Sequence, residues 1–333
     1  MIRMGVIGYG YWGPNIVRNL QSQENMRVVA VSDKNPNALK RVSKAYPDIR
    51  LTQNAREVIT ATDIDALAIV TPVSTHYDLA REALVGGKHV FVEKPFTASS
   101  AQAKDLIDLA TQKGLTIMVD HTFLFTGAVR KIKQLIDEKV LGDLYYYDST
   151  RVNLGLFQHD ANVIWDLAPH DFSIMDYLLP EKPRAISATG ACHLNGHEDI
   201  AYITAFFDNN LIAHFNVNWL SPVKVRTTLL GGMHKMVVWN DVEADEKIKV
   251  YDKGVEIKSA EGVYQLLVSY RSGDMWAPKV EQTEALSLEA KYFAECVESG
   301  KTPFNGGEAG ARVVRMLEAA NESLKMKGAL IYL

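Results

Sequence analysis

The stretch GVIGYGYWG, Gly5 to Gly13, decides how the N-terminal part of this chain must fold. Met4 to Ile7 is a short apolar run suited to a buried strand, and Asn15 to Leu20, with apolar residues at helical spacing, reads as a helix. Glycines spaced G-x-G-x-x-G mean little alone in a chain with 22 of them. Their setting carries the inference. A strand precedes them, a helix follows, and a second strand-like run from Arg27 to Ser32 ends at Asp33, about 20 positions beyond Gly13.

In that setting Gly8 permits the tight turn, Gly10 lets a pyrophosphate approach the backbone, and Gly13 lets the helix pack closely on the strand, with the helix N-terminus facing the anion. Tyr11 and Trp12 contribute backbone amides, and their rings read as packing groups. Asp33 would accept hydrogen bonds from both ribose hydroxyls of adenosine, and its charge disfavours a 2′-phosphate, so NAD is expected ahead of NADP. Lys34 and Arg41 lie close enough in sequence to keep NADP possible.

Working outward, Ala66 to Val70 is a third strand-like run ending at Thr71-Pro72, and Val90 to Val92 a fourth, leading into Glu93-Lys94-Pro95. Thr116 to Val119 is one more, and helical segments fall around Ala38 to Ala45, Tyr77 to Gly86 and Ala101 to Lys113. Such alternation implies parallel strands joined by right-handed crossovers. Beyond His121 the pattern changes. One helix, Ala128 to Lys139, precedes strand-like runs at 145–152, 185–191, 200–207, 211–219, 223–230, 236–240 and 247–251, with Asp208-Asn209-Asn210 and Gly231-Gly232 as turn signals. Two amphipathic helices, Ser287 to Ser299 and Gly307 to Lys327, close the chain. The expected fold is α/β: a Rossmann doubly wound parallel sheet over residues 1–121, then an α+β domain over 122–333 built on a large, mostly antiparallel open sheet.

Composition supports that division. At 333 residues the chain exceeds what one core usually organises. Hydrophobic residues at 47% and charged residues at 23% are ordinary globular values, and a formal charge of −4 gives no basic excess for nucleic acid. Cys192 and Cys296 form no C-x-x-C pair, which fits a reducing cytoplasm. No signal peptide is read at the N-terminus, and no apolar run reaches the roughly 18 residues of a membrane span, so a cytoplasmic protein without membrane or nucleic-acid partners is expected. His193-x-x-x-His197-Glu198 has metal-like spacing, but Asn195-Gly196 marks a turn and no metal is expected. Neither a G-x-S-x-G elbow nor a P-loop is present, which leaves hydrolase and kinase readings without a nucleophile motif or phosphate cradle.

Lysine at the carboxyl end of a parallel strand stands where open α/β sheets place ligands. Taking a hydride from a carbinol carbon requires loss of the hydroxyl proton, so a base must lie within reach of that oxygen, and Lys94 and His170 can both serve. Asp166 and His170 are four apart, so a helix there would project them from one face; Pro169 places the start of that helix close to Asp166.

Together GVIGYGYWG, TPVSTH (Thr71 to His76), VEKP (Val92 to Pro95) and WDLAPH (Trp165 to His170) resemble the Gfo/Idh/MocA oxidoreductases, over nearly the whole chain and in the same order. The resemblance implies a nicotinamide enzyme acting on a sugar or cyclitol hydroxyl. Lys94 would position or polarise the reacting oxygen, His170 would act as acid or base, and Asp166 would orient the sugar. Thr71, Pro72, His76, Glu93 and Lys94 would lie near the cofactor. After His121 this chain has Thr122-Phe123-Leu124-Phe125 and lacks the arginine many relatives show. The chain looks most similar to branches handling nucleotide sugars in bacterial polysaccharide assembly, which implies oxidation at C3 of a UDP-linked N-acetylhexosamine or its uronic acid. Arg151 would then meet a uronate carboxylate, with Asn153 and Gln158 as further pocket candidates. Tyr270 to Lys279 is either a lid or a surface loop. A free-sugar or inositol dehydrogenase, a sugar 3-ketoreductase and an NAD-sensing protein are the alternatives. An open sheet with one uncovered face also leads to an expected homodimer or homotetramer.

Overall fold

The computed structural model describes residues 1–155, 161–194, 196–257, 268–271 and 273–333. Gln158 and Ser272 lie outside them, as do the side chains of Tyr270 and Arg271. Two compact units are present, Met1–Phe125 with Thr283–Arg315, and Thr126–Gln282 with Met316–Leu333.

The first unit is built on six parallel strands: β1 (Ile2–Ile7), β2 (Met26–Ser32), β3 (Arg50–Thr52), β4 (Ala66–Ile69), β5 (His89–Glu93) and β6 (Ile117–Asp120). Their order is β3-β2-β1-β4-β5-β6, so the direction of winding reverses between β1 and β4. All four residues of β4 and all four of β6 are buried, as a sheet covered on both faces requires. Only β3 escapes a reading of periodicity, because three residues are too few to show one.

The expected boundary at residue 121 leaves out a return of the chain. Helix α8 (Ala285–Ser299; the helices before it are α1, Gly13–Gln21; α2, Pro36–Ala45; α3, Ala55–Ile59; α4, His76–Val85; α5, Ser100–Lys113; α6, Gly127–Asp137; α7, Val163–Leu178) buries Leu286, Ala290, Phe293 and Ala294 in the same core as Met4, Val6 and Phe91. Phe293 meets Phe91 edge-on with centroids 5.6 Å apart. At its start Glu284 forms an ion pair with Arg18 at 2.6 Å. The apolar stripe of α8 was readable from sequence, whereas its partner surface was not.

The second unit centres on a nine-stranded sheet made from β7 (Leu144–Leu154), β8 (Ala185–Ala191), β9 (Ile200–Phe206), β10 (Ile212–Asn218), β11 (Leu220–Gly232), β12 (Met236–Asn240), β13 (Ile248–Tyr251), β16 (Met275–Trp276) and β17 (Ile331–Tyr332). The paired β14 (Gly254–Ile257) and β15 (Val268–Arg271) stand apart from it. Every neighbouring pair in the large sheet is antiparallel except β7 with β10. Gly231 and Gly232 are not the hairpin turn expected of them: they end β11, and the turn falls at 233–235. Gly231 lies opposite Tyr146, and a Cβ there would come within 2.0 Å of the Tyr146 ring.

Beneath this sheet lies an apolar core that also holds an ion pair. Phe172 of α7 packs edge-on against Phe215 of β10 at 4.9 Å. Also buried, Arg151 of β7 binds Asp171 of α7 at 2.7 Å and 3.1 Å, and Ser149 donates to the same carboxylate at 2.9 Å. Arg151 is 4% exposed, so its guanidinium faces Asp171 and not the substrate carboxylate anticipated for it. Removing one partner of a buried pair strands the other charge. Asp171→Ala is therefore expected to lower the unfolding free energy by about 3–5 kcal/mol in denaturant titrations, and a loss under about 1 kcal/mol would show that the pair is not structural.

Candidate active site

Parallel strands deliver their carboxyl ends to one edge of the sheet, and the first unit places most candidate residues along it. Gly8 follows β1, Asp33 follows β2, Thr71 lies just beyond β4, Glu93 closes β5 and Lys94 follows it, and Asp120 closes β6.

The glycine loop is shaped by close approach. Gly8 has a φ of +99°, and a Cβ there would lie 2.2 Å from the Val70 carbonyl oxygen; at Gly13 one would lie 2.9 Å from the Gly8 oxygen. Gly10 differs, since a Cβ added there meets nothing within 4 Å. The α1 N-terminus has no side-chain cap at Trp12. Asp33 is half-buried, with Oδ2 accepting the Tyr9 N–H at 2.6 Å and Oδ1 the Asn35 N–H at 2.7 Å. An uncapped helix N-terminus, open space above Gly10 and a carboxylate held at the loop fit the dinucleotide expected there. Arg41 donates to the Tyr9 carbonyl at 3.0 Å and stacks on the Tyr9 ring, while Lys34 is exposed. Tyr11 is 93% exposed, but Trp12 is not a free ring: its Nε1–H donates to Asp120 at 3.0 Å.

His76 is buried, with Nδ1 2.9 Å from the Pro95 carbonyl and Nε2 2.7 Å from that of Thr71. Both nitrogens are thus committed to backbone, and the ring brackets the loop after β4 to the Lys94–Pro95 turn. Burial lowers the proton affinity of the ring, opposed by the backbone around it at Thr71, Pro95 and Phe96. Thr71 also accepts the Thr75 hydroxyl at 2.8 Å, and Pro72 is exposed.

In the second unit, α7 begins at Val163, earlier than Pro169 suggested, because Asn162 caps it by accepting the Trp165 N–H at 3.2 Å. The proline stands in the second turn, where the missing N–H leaves one helical bond unmade. Asp166 and His170 remain one turn apart and both are half-buried. The fully buried Trp219 donates its Nε1–H to Asp166 Oδ2 at 2.9 Å. Asn153 is half-buried near the end of β7. His193 bonds Asp199 at 2.7 Å, and among the described residues no group of three or more potential metal ligands is found. Met275 and Trp276, from the segment considered as a lid, form the edge strand β16. Among the described residues no helix is long and apolar enough to cross a membrane.

Three residues of these surroundings escaped the sequence reading: Asp120, Glu289 and Trp219. Glu289 carried a signal, being a charge at spacing i+3 from Leu286 and i−4 from Phe293 on the apolar face of α8. Trp219 carried none beyond the rule that a buried indole needs an acceptor.

A model described as an oxidoreductase family with an NAD-binding Rossmann fold matches residues 2–121, and one for the GFO/IDH/MocA C-terminal domain matches residues 129–233. The scyllo-inositol 2-dehydrogenase (NAD(+)) of Bacillus subtilis (strain 168) is 27% identical over 91% of this chain and 88% of its own. The UDP-N-acetylglucosamine 3-dehydrogenase of Acidithiobacillus ferrooxidans is 24% identical over 94% of each chain. In a solved structure of that enzyme the match has a TM-score of 0.83 at 21% identity, covering 98% of each chain. A levoglucosan dehydrogenase in complex with NADH and L-sorbose has a TM-score of 0.84 at 18% identity, covering 100% of this chain and 98% of that one.

Two outcomes follow from this geometry. Gly10→Ala should leave the thermal midpoint unchanged and weaken NAD binding in calorimetry, whereas Gly8→Ala should destabilise the fold itself; equal effects on stability would refute the distinction. Because the folded pKa of His76 lies below its ordinary 6.5, the stability tied to it is complete above that pH and falls as pH drops through the lowered value. His76→Gln should accordingly show a shallower fall in thermal midpoint than the parent between about pH 7 and about pH 5; parallel curves would remove His76 as the titrating group.

Proposed function

This chain belongs to the Gfo/Idh/MocA oxidoreductases, and on that premise we propose that it transfers a hydride between NAD and a secondary hydroxyl of a sugar, with C3 of a UDP-linked N-acetylhexosamine as the reacting position. The observation that carries the reading is the place of Lys94, at the carboxyl end of β5, two strands from the glycine loop across the point where the sheet reverses its winding. NAD, when bound, supplies the hydride acceptor. The proton is the task of the chain's own side chains.

In this reading Gly8 to Gly13 hold the pyrophosphate, and Asp33 takes the adenosine ribose. Lys94 polarises the reacting oxygen, His170 accepts its proton, and Asp166 orients a neighbouring hydroxyl. The bond from Trp219 supports that role for Asp166 by fixing one carboxylate oxygen. With Arg151 facing Asp171, the cation anticipated for a uronate is committed elsewhere, which favours the uncharged N-acetylhexosamine. The same groups serve the reverse direction, with each donor and acceptor exchanged.

The likeness to an inositol dehydrogenase favours a second reading, a free cyclitol or sugar as substrate. NADH formation with UDP-N-acetylglucosamine against scyllo-inositol separates the two; turnover of the cyclitol alone would overturn the first. Exposed Tyr202 and Ile212 on the outward face of the second sheet support a homodimer or homotetramer. Lys94→Ala should retain NAD affinity while turnover falls by roughly 10²-fold or more. Turnover within about threefold of the parent would take Lys94 out of the mechanism.

A further inference from the structure

Three carboxyl groups meet in the first unit at the end of the strand that carries Lys94. Glu93 closes β5 and Asp120 closes β6, side by side in the parallel register, and Glu289 reaches them from α8. Asp120 is 2% exposed and Glu289 0%. Both glutamates lie against Asp120: Glu93 is its register partner, and Glu289 accepts the backbone N–H of the next residue, His121. Its oxygens also accept the Trp12 indole N–H at 3.0 Å and the Thr122 hydroxyl. Glu289 Oε1 accepts the His121 backbone N–H at 3.1 Å and the Asn305 side-chain N–H at 2.9 Å. Among the described residues, no donor faces Glu289 Oε2 or the Oδ1 of the fully buried Asn305.

This packing identifies where the protons are. Two carboxylates cannot hydrogen-bond each other, because an ionised carboxyl only accepts. Asp120 already takes two neutral donors, as a carboxylate does, so the protons that relieve the repulsion belong on the glutamates. The undonated Oε2 of Glu289 is where such an O–H belongs. Burial, and then the charge of Asp120, push Glu93 and Glu289 well above the ordinary carboxylate range, with Lys94 opposing this for Glu93. Among the described residues, the titratable groups adjoining the cluster are Lys94, next to Glu93 in the chain, and His121, next to Asp120; Trp12, Thr122 and Asn305 are neutral donors.

We propose that Glu93, Asp120 and Glu289 form a proton-sharing cluster with two protons and one negative charge, and that by holding Glu93 neutral it sets how tightly Lys94 retains its proton. Asp120 and Glu289 are then positioning residues that act on Lys94 through Glu93, and the Trp12 indole ties the glycine loop to the same charge. The bearing on catalysis rests on the role proposed above for Lys94. The proton count does not.

The test is competitive acetylation of Lys94 in the full-length protein across a pH series, read by peptide mass spectrometry, together with the infrared carbonyl stretch of protonated carboxyl groups. Glu93→Gln replaces a neutral group by a neutral group and should leave the Lys94 labelling midpoint in place. Asp120→Asn should let Glu93 ionise and raise that midpoint by about one pH unit or more. Glu93→Gln and Glu289→Gln should each remove one protonated-carboxyl band, with Glu289→Gln keeping the midpoint that Glu289→Leu shifts. A fall in the midpoint in Glu93→Gln, or the absence of protonated bands to remove, would overturn the proposal. Should Asp120→Asn fail to fold, the two glutamine variants still decide it. No sugar is needed, so failure of every substrate assay would leave this result standing.

Discussion

Six strands running the same way put every strand's carboxyl end on one edge of the first sheet. That single constraint gathers residues 8, 33, 71, 93, 94 and 120 although they are spread over a third of the chain. The winding reverses between β1 and β4, which is the point at which open α/β sheets bind their ligands. The glycine loop is the local answer to this geometry. At Gly8 and Gly13 backbone oxygens come too near for a side chain, while at Gly10 the space is left open for a ligand.

Each unit also buries charge, and the two do so differently. In the second, Arg151 and Asp171 cancel each other with bidentate geometry, a structural solution that asks nothing of a substrate. In the first, like groups are brought together, so protons rather than counter-charges must relieve the repulsion. Indoles recur as fixatives in both: Trp12 donates to Asp120 and Trp219 to Asp166, each holding one carboxylate oxygen and so limiting how the acid can turn. Each of these two indole N–H groups finds its acceptor on an acid of its own unit.

Much of the fold was legible because its signals are local. The strand, glycine loop, helix and Asp33 are contiguous, and the switch to antiparallel strands after His121 shows in the change of period and the turn residues. Where the reading departed from the structure, a specific side-chain contact was responsible. Asn162 capped α7 ahead of the start inferred from Pro169, Tyr146 claimed the space of Gly231, and Asp171 took the charge of Arg151. The return of α8 to the first core follows from Phe293 meeting Phe91, some 200 positions away, which no periodicity could announce.

By itself the sequence determined the parallel sheet, its glycine loop and the presence of a lysine at the end of the fifth strand, since these depend on φ freedom, apolar period and residue order. Only the tertiary structure decided what surrounds that lysine. Glu93, Asp120 and Glu289 come from three elements, and whether a carboxyl group keeps its proton depends on the charges and donors packed against it, not on its neighbours in the chain.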